Sequence, residues 1–560
     1  MQFPNYTRID KFGLIYKSNG FKRVKWSVLL FLCFLSNNSF GQGFSPYYTN
    51  TTYQKYQNYL VNSGRLKVNH PLSQPYSVGE LSDSLAARRI SSELRAQGAG
   101  LRDQGAGSKE QGVLSKETGN LVKVTCSDKW ASLLRADFDK RYLKSAKQDS
   151  VKGNLIIGIE AGNKNNYNQK TNTNDFSGGG FASYAFKNFG LYSSINIDEA
   201  YKRDTMYFGS TGKLENKVFS RSNESYLQWE NKSFVLFAGR INRNYGLSGD
   251  NSLILSDNPF SFDHFAFTFK NRVLKYTAIF GRLNDIYGFD IRDSLPAFQW
   301  NKRFLSIHRF EVSLSKKIEI GFTDVILFGG KDAFPQLQYL NPVNFLFMSK
   351  MSDRKGYEEG NANALMSFDF YYKPLNKLTF FGQFLIDDMD FTKSLRAVFP
   401  DRIGYTAKAI YTDLFPESQI SLSYNKISNW TYNSFYTWGN YTYYGKSLGY
   451  PRNGSENIKL GFDSFKFFPF MLGFEVMADQ YCNQDLNAPF VAVKTNFPLG
   501  IPEKSLSLKF NTSFIPNSFF SANLTTEYIC YNNFGFIQYQ KQSFFNIFLT
   551  LKMQGVFKLF

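Results

Sequence analysis

Histidine and cysteine are nearly absent from this chain: its 560 residues include 3 His and 4 Cys. With only His70, His264 and His308 available, no clustered metal site is supported and no metal or cofactor is expected. Catalytic sets are equally thin, because a nucleophile, a base and an orienting group cannot be assembled from these residues. Asp263-His264, with Ser261 nearby, could suggest a hydrolase, yet neighbours on a strand point to opposite faces and would not cooperate. Asp387, Asp388 and Asp390 could bind a cation, although a solvated strand end accounts for them better. Cys33 lies inside an apolar run without the small residues expected before a lipidated cysteine. The remaining Cys126, Cys482 and Cys530 are odd in number, so disulfides are not the framework, and a Cys482–Cys530 bridge is the one pairing to test. Long apolar runs are missing too: the N-terminal run Val28–Leu35 is too short to span a bilayer, and nothing after it approaches the roughly 20 residues of a membrane-spanning helix. Phosphate-cradling glycine loops, nucleic-acid modules and blade-length repeats are also lacking. The formal charge of +19 therefore answers to a polyanion other than nucleic acid, or to lipid head groups.

What the chain has is phenylalanine, tyrosine and alternation. Aromatics make up 18% of the sequence, with 59 Phe and 35 Tyr but only 6 Trp, an excess that fits aromatic girdles at two membrane boundaries. Mean hydropathy is −0.34, too polar for a helical membrane protein but expected where half of each strand faces water. From about Gly153 onward, short segments alternate at period two. Leu549, Leu551, Met553, Gly555, Phe557 and Leu559 share one face, against Thr550, Lys552, Gln554 and Lys558. Leu191/Ile195/Ile197 oppose Ser194/Asn196/Asp198, Met366/Phe368/Phe370 oppose Ser367/Asp369, and Leu472/Phe474/Val476 oppose Gly473/Glu475/Asp479. Leu506/Leu508/Phe510 oppose Ser507/Lys509/Asn511 in the same way. One face meets apolar material and the other polar groups. Lipid accepts only helices or closed barrels, since every backbone group must be paired internally. The pattern thus predicts an all-β transmembrane barrel in an outer membrane, in contact with its lipid and delivered to the barrel-assembly machinery through the aromatic-ended C-terminal strand. Phe560 falls on the even-numbered, mostly polar face of that strand, so the last residue is expected to bend away or sit at the rim.

The N-terminus reads as an export signal over residues 1–41. Lys22, Arg23 and Lys25 precede the apolar run Val28–Leu35, and Ser39-Phe40-Gly41 offers small residues at a cleavage site. Residues 42–150 read as a small α-helical periplasmic segment. Ser77-Val78-Gly79-Glu80 has capping-box spacing before Leu81, Leu85, Ile90 and Leu94. A second helix is expected from Ser127 or Asp128, with Trp130, Leu133, Leu134 and Phe138 on its apolar side. Between them, near 95–112, the glycine-rich repeat starting at Arg95, again at Arg102 and decaying at Lys109 predicts a flexible linker.

Residues 151–560 form the expected barrel, long enough for about 16 to 18 strands at roughly ten residues each plus connections. Tight turns are expected at Lys373-Pro374-Leu375-Asn376 and around Pro469, and long loops at Gly212–Asn223, Phe334–Asn361 and Ser428–Asn457. The last is rich in Tyr, Trp, Asn and Gly, which suits carbohydrate contact, although an ordinary surface loop plus a membrane girdle accounts for it better. Arg240, Arg243, Arg282, Lys302, Arg303 and Arg309 should face the lumen or lie at the rim, because charge on a lipid-facing position costs about 2–4 kcal/mol near the midplane. A basic interior suits an acidic sugar polymer or an anion-selective diffusion channel. Pairing with lumen carboxylates is the structural counterpart of that reading.

One block is more specific. Gly239-Arg240-Ile241-Asn242-Arg243-Asn244-Tyr245-Gly246, followed by Ser252-Leu253-Ile254-Leu255-Ser256-Asp257-Asn258-Pro259-Phe260, resembles the signature of Wzi-type capsule assembly proteins. His308-Arg309-Phe310, Gly329-Gly330, Leu340-Asn341-Pro342-Val343-Asn344-Phe345 and the segment from Gln383 to Asp388 resemble stretches of more distant members. The turn departs from the family's common Trp-Gly-Pro-Gly, with Tyr245-Gly246-Leu247-Ser248 in its place. The resemblance implies a barrel of about 18 antiparallel strands with a helical periplasmic segment. It also implies a lectin-like, non-enzymatic role in holding capsular polysaccharide at the cell surface. Trp229, Arg240, Arg243 and Tyr245 are the residues expected to contribute a polysaccharide-binding patch, Arg meeting acidic groups and aromatics stacking on sugar rings.

Overall fold

Alternation becomes a closed wall. In the computed structural model of the chain, 18 antiparallel strands form a barrel in which each strand pairs with its neighbours in sequence and the last with the first. The structure describes residues 51–76, 81, 126–141, 153–168, 171–204, 210–211, 219–246, 252–289, 298–352, 362–388, 400–491 and 495–559. The expected export signal, the expected capping box at residue 77, the repeats near 95–112, Asp390 and Phe560 lie outside them. The first half of the wall comprises β1 (Asn154–Asn168), β2 (Asn172–Phe186), β3 (Phe189–Asp198), β4 (Ser225–Glu230), β5 (Phe234–Arg240), β6 (Asp263–Lys270), β7 (Leu274–Arg282), β8 (Gln299–Ser315) and β9 (Ile318–Gly330). The second comprises β10 (Ala362–Leu375), β11 (Leu378–Asp388), β12 (Arg402–Thr412), β13 (Ser418–Ile427), β14 (Ser455–Ser464), β15 (Phe470–Tyr481), β16 (Glu503–Phe514), β17 (Phe520–Asn532) and β18 (Lys541–Lys558). Closure comes from β18 against β1, with Gly555 opposite Ile159 and Lys552 opposite Gly162.

Across the middle of the wall the outward face is the apolar one. Phe265, Phe368, Phe474, Leu508 and Met553 are all exposed on it, while Ser367 and Asp369 between Met366, Phe368 and Phe370 are buried. One region breaks the rule: Ser306, His308 and Asp324 face outward from β8 and β9. They are covered by the connection after β9, whose two short helices are Leu337–Leu340 and Leu346–Ser352. Its backbone satisfies them, with Ser306 donating to the Tyr339 carbonyl (2.6 Å), His308 Nδ1 bonding the Asn344 carbonyl (2.8 Å) and Asp324 accepting from Phe347 N–H (3.2 Å). Three polar groups that lipid would not tolerate are thereby paired.

Connections are short at one end and long at the other. The turn at Lys373–Asn376 and the one containing Pro469 belong to the short-turn end, as the sequence suggests. The N-terminal helices dock there. Helix α1 (Gln54–Asn62) buries Tyr56, Tyr59 and Leu60, and helix α2 (Cys126–Arg141) buries Trp130 and Leu134, both against Phe465, Met471 and Ile515. Polar ties fix the register: Tyr59 donates to Asp413 (2.6 Å), Trp130 Nε1 to the Phe465 carbonyl (2.9 Å) and Lys373 to the Asn62 carbonyl (2.6 Å). Helix α2 starts within two residues of the expected N-cap, whereas α1 was not anticipated.

Candidate functional site

Beyond α1 the chain turns into the lumen. Ser73 and Gln74 pair in antiparallel register with Tyr245 and Asn244, inside the barrel. The connection after β5 is also folded inward, so Leu253, Ile254 and Leu255 are buried with Tyr432, Tyr441 and Leu448 from the connection after β13. These two infolded loops are tied to each other. Tyr432 and Tyr441 hydroxyls donate to the carbonyls of Leu253 (2.7 Å) and Ile254 (2.6 Å), and Ser256 Oγ donates to the Gly449 carbonyl (2.6 Å). Burial pushes both tyrosine hydroxyls well above their ordinary pKa, so they remain donors. The wall holds the loops through Gln383, whose Oε1 accepts from Ser252 Oγ (3.1 Å) and whose Nε2 donates to the Tyr245 carbonyl (3.1 Å). Gly246 sits at φ +110°, and a Cβ there would come within 2.7 Å of Gln383 Nε2, which explains a glycine after Tyr245.

The four expected binding residues are not gathered into one patch. Arg243 is buried, its Nε 3.1 Å from His264 Nε2 and its guanidinium 5.0 Å from the centre of the Phe237 ring. Tyr245 is buried beneath the Arg309 guanidinium, 4.7 Å from its ring centre. Arg240 points outward at the long-loop rim in a bidentate pair with Asp263. Trp229 also points outward, paired in register with Phe189 at the short-turn end, the place of a girdle residue. Asp263 and His264 do diverge to opposite faces of their strand.

The inward arginines are held by the chain's own carboxylates and carbonyls. Arg309 is fully buried against Asp369 (2.5 Å) and Glu311 (3.5 Å). Arg303, equally buried, donates to the carbonyls of Trp438 (2.8 Å) and Asn440. Arg402 reaches Asp387 (3.4 Å) and Asp388 (2.8 Å) as well as the Asn433 carbonyl. Asp387 also accepts from Tyr432 N–H (2.8 Å) and so is a loop anchor. Arg282 and Lys302 face outward at the rim. The aromatic-amide loop, whose infolded part runs from 428 to 454, is largely buried: its Tyr432, Tyr436, Trp438 and Tyr441 are interior packing. Cys482 and Cys530 are unpaired, Cys530 lying on the outward face of β17.

Among the described residues, two surfaces in the lumen and at its mouth are open to a ligand. The first is the lumen face of β15–β18 and β1, where inward side chains stay part-exposed. Lys509 lies between Glu527 (3.3 Å) and Glu475 (3.9 Å), and Lys552 pairs with Glu160 (2.7 Å). The second is the long-loop rim. There the Arg221 guanidinium lies 4.1 Å and the Lys446 ammonium 4.5 Å from the Phe260 ring centre, Tyr201 meets Phe260 edge-on, and Lys446 pairs with Asp204 (2.7 Å). Burial pushes the Arg221 guanidinium down, partly offset by Tyr443. No local motif announces this cluster, because its members come from four separate segments.

Fold and site together define a transmembrane β-barrel whose lumen is occupied by its own chain. The chain belongs to the capsule assembly protein Wzi family, whose model matches residues 138–534. Among solved structures it is similar to Wzi of Escherichia coli, described as an outer-membrane, carbohydrate-binding β-barrel involved in group 1 capsule assembly. Identity is 12%, TM-score 0.56, with 92% of this chain and 99% of that one covered. It is more weakly similar to OccK8 (OprE) of Pseudomonas aeruginosa, at 8% identity, TM-score 0.44 and coverage of 73% and 99%. OccD3 (OpdP) of the same organism gives 11%, 0.43, 72% and 92%. No curated protein sequence matches the chain.

Proposed function

We propose that this protein is a non-catalytic, lectin-like barrel that binds acidic surface or capsular polysaccharide on its long-loop face and helps to hold it outside the cell. The observation that carries this reading is the occupied lumen: two wall-anchored loops and an N-terminal segment fill the mouth and the opposite half of the wall. A lumen partly filled by its own chain favours a surface over a path. The family name and the carbohydrate-binding description of the Escherichia coli protein agree with it. Long loops face outside and short turns the periplasm in such barrels. The docked helices are then periplasmic, exported behind the signal peptide of residues 1–41, with barrel-assembly machinery receiving β18.

An anion-selective channel is the second reading, favoured by the part-exposed wall of β15–β18 and β1. Its charges argue the other way, since Lys509 and Lys552 face Glu475, Glu527 and Glu160.

At the rim, Arg240 is the expected acid-binding contact, with Arg243 and Tyr245 supporting the floor beneath it and Trp229 outside the patch. The test is titration of the detergent-purified full chain with capsular polysaccharide from the cells that make it. Saturable binding that weakens with salt, and weakens several-fold in Arg240→Ala, is expected. Absence of binding at both low and moderate salt sinks the reading.

A further inference from the structure

Above the membrane band, one hairpin presents three large aromatic rings on its outward face. Its arms are the short strand Ile286–Gly288 and the start of β8, with Tyr287 opposite Trp300. Tyr287 and Phe298 are each 57% exposed and Trp300 is 66% exposed. The Tyr287 ring stacks with Phe298 at 5.8 Å between centroids and lies 5.6 Å from Trp300. Phe289 braces Phe298 at 4.6 Å.

The other face of the hairpin is fixed. Asn301 Nδ2 donates to the carbonyls of Gln299 (2.9 Å) and Gly288 (3.2 Å), and Thr437 N–H from the infolded loop donates to the Phe289 carbonyl (3.2 Å). A Cβ on Gly288 would lie 1.8 Å from Thr437 Oγ1, so the hairpin and the loop are in close contact. The rings are therefore held in place before any ligand arrives, which lowers the ordering cost of binding.

An aromatic girdle sits at this height too, so what fits these rings for a ligand is their packing on one another and the bracing of their hairpin from the lumen side. On the same outward face, nearer the membrane, Lys302 is exposed, Arg282 pairs with Asp285 (3.0 Å), and Arg240 pairs with Asp263. Charged groups are disfavoured inside the hydrocarbon band, so these positions mark its upper edge. Trp300 is one further strand period out, roughly 6–7 Å along the strand from Lys302. An exposed aromatic patch of this kind marks an interaction surface. Flat rings match the apolar faces of pyranoses, and a cation at the foot matches an acidic substituent.

We propose that Tyr287, Phe298 and Trp300 form a stacking platform for sugar rings of the surface polysaccharide, with Lys302 receiving an acidic group of the same chain. The proposal rests on the polysaccharide-binding reading and gives it a site. The full chain, its Tyr287→Ala/Phe298→Ala/Trp300→Ala variant, Trp300→Phe and Lys302→Gln are titrated with the capsular polysaccharide and, for comparison, with neutral dextran. Folding is checked by heat-dependent gel migration, and reconstitution into phosphatidylcholine vesicles is measured in parallel. Affinity for the capsular polymer is expected to fall about tenfold in the triple variant, with Trp300→Phe close to the unaltered chain. Lys302→Gln should weaken binding of the acidic polymer and reduce its salt dependence. Unchanged affinity in a folded triple variant overturns the platform and leaves polysaccharide binding standing. Loss of vesicle reconstitution in that variant with unchanged affinity assigns the rings to lipid and overturns it as well. If the unaltered chain binds no capsular polymer, the broader reading fails first.

Discussion

At Arg309 a charge that looks, in sequence, like a ligand-binding group holds the interior together. It has Asp369 and Glu311 on either side, donates to Thr323 Oγ1 (2.6 Å) and the Leu72 carbonyl (3.2 Å), and lies over the Tyr245 ring. Removing it would leave buried Asp369 without a cation and Glu311 with Lys275 alone (3.4 Å), so Arg309→Met is expected to cost about 3–5 kcal/mol, seen as a lower urea midpoint in detergent. Arg240→Ala, with Asp263 61% exposed, should cost under about 1 kcal/mol because solvent screens the pair. Equal costs for the two would refute the division into structural and surface arginines. Nothing in the sequence separates them. Both follow the alternation rule that charge avoids lipid, but whether a carboxylate waits across the lumen depends on register between β8, β9 and β10, which no local pattern encodes. The Ser252–Phe260 block was legible as a signature, while its role as loop core became visible only with its partners from 432 to 449.

Among the elements, the lumen-entering segment carries a pH dependence. His70 Nδ1 lies 3.3 Å from Glu319, and Nε2 bonds the Asn271 carbonyl (3.0 Å). Burial alone pushes the imidazole down. The Glu319 carboxylate beside it, aided by the charge of Glu311, outweighs that and the opposing Lys275, leaving it above its ordinary value. The protonated form thus belongs to the docked state. Its contribution is complete below the unfolded pKa of about 6.5 and disappears as pH rises through the higher docked value. Amide protection across residues 68–74, corrected for intrinsic exchange, should be greater at acidic than at alkaline pH, and His70→Gln should remove the difference. A segment equally protected at both extremes in the unaltered chain would contradict this. Helix α2 could be read from Trp130, Leu133 and Leu134 at helical spacing. Helix α1 escaped because tyrosines fill its buried face, with the Tyr59 hydroxyl reaching out to Asp413. The aromatic-amide loop was ambiguous for a related reason: Tyr, Trp, Asn and Gly serve an infolded plug as well as a sugar site.

For the whole molecule, the barrel and a range of about 16 to 18 strands follow from period-two alternation and length, because membrane physics admits so few solutions, while the family resemblance narrows the number to about 18. Occlusion does not follow, since it depends on which way loops fold. That difference is open to a direct electrical test. Ile427 on β13 stands opposite Ser455 on β14, so residues 429–453 can be replaced by a short turn without disturbing wall register. The replacement removes Tyr432, Tyr441 and Gly449, and with them the ties that hold Leu253, Ile254 and Ser256. In planar bilayers the unaltered chain should show no steady conductance. The loop-replaced protein should conduct, and more so when residues 43–76 are also removed. Ions would then pass along the wall where Lys509 and Lys552 meet Glu475, Glu527 and Glu160. That surplus of carboxylates predicts a reversal potential in a KCl gradient of the sign for weak cation preference, opposite to an anion channel. Steady anion-selective conductance from the unaltered chain would displace the closed, polysaccharide-holding barrel in favour of a channel.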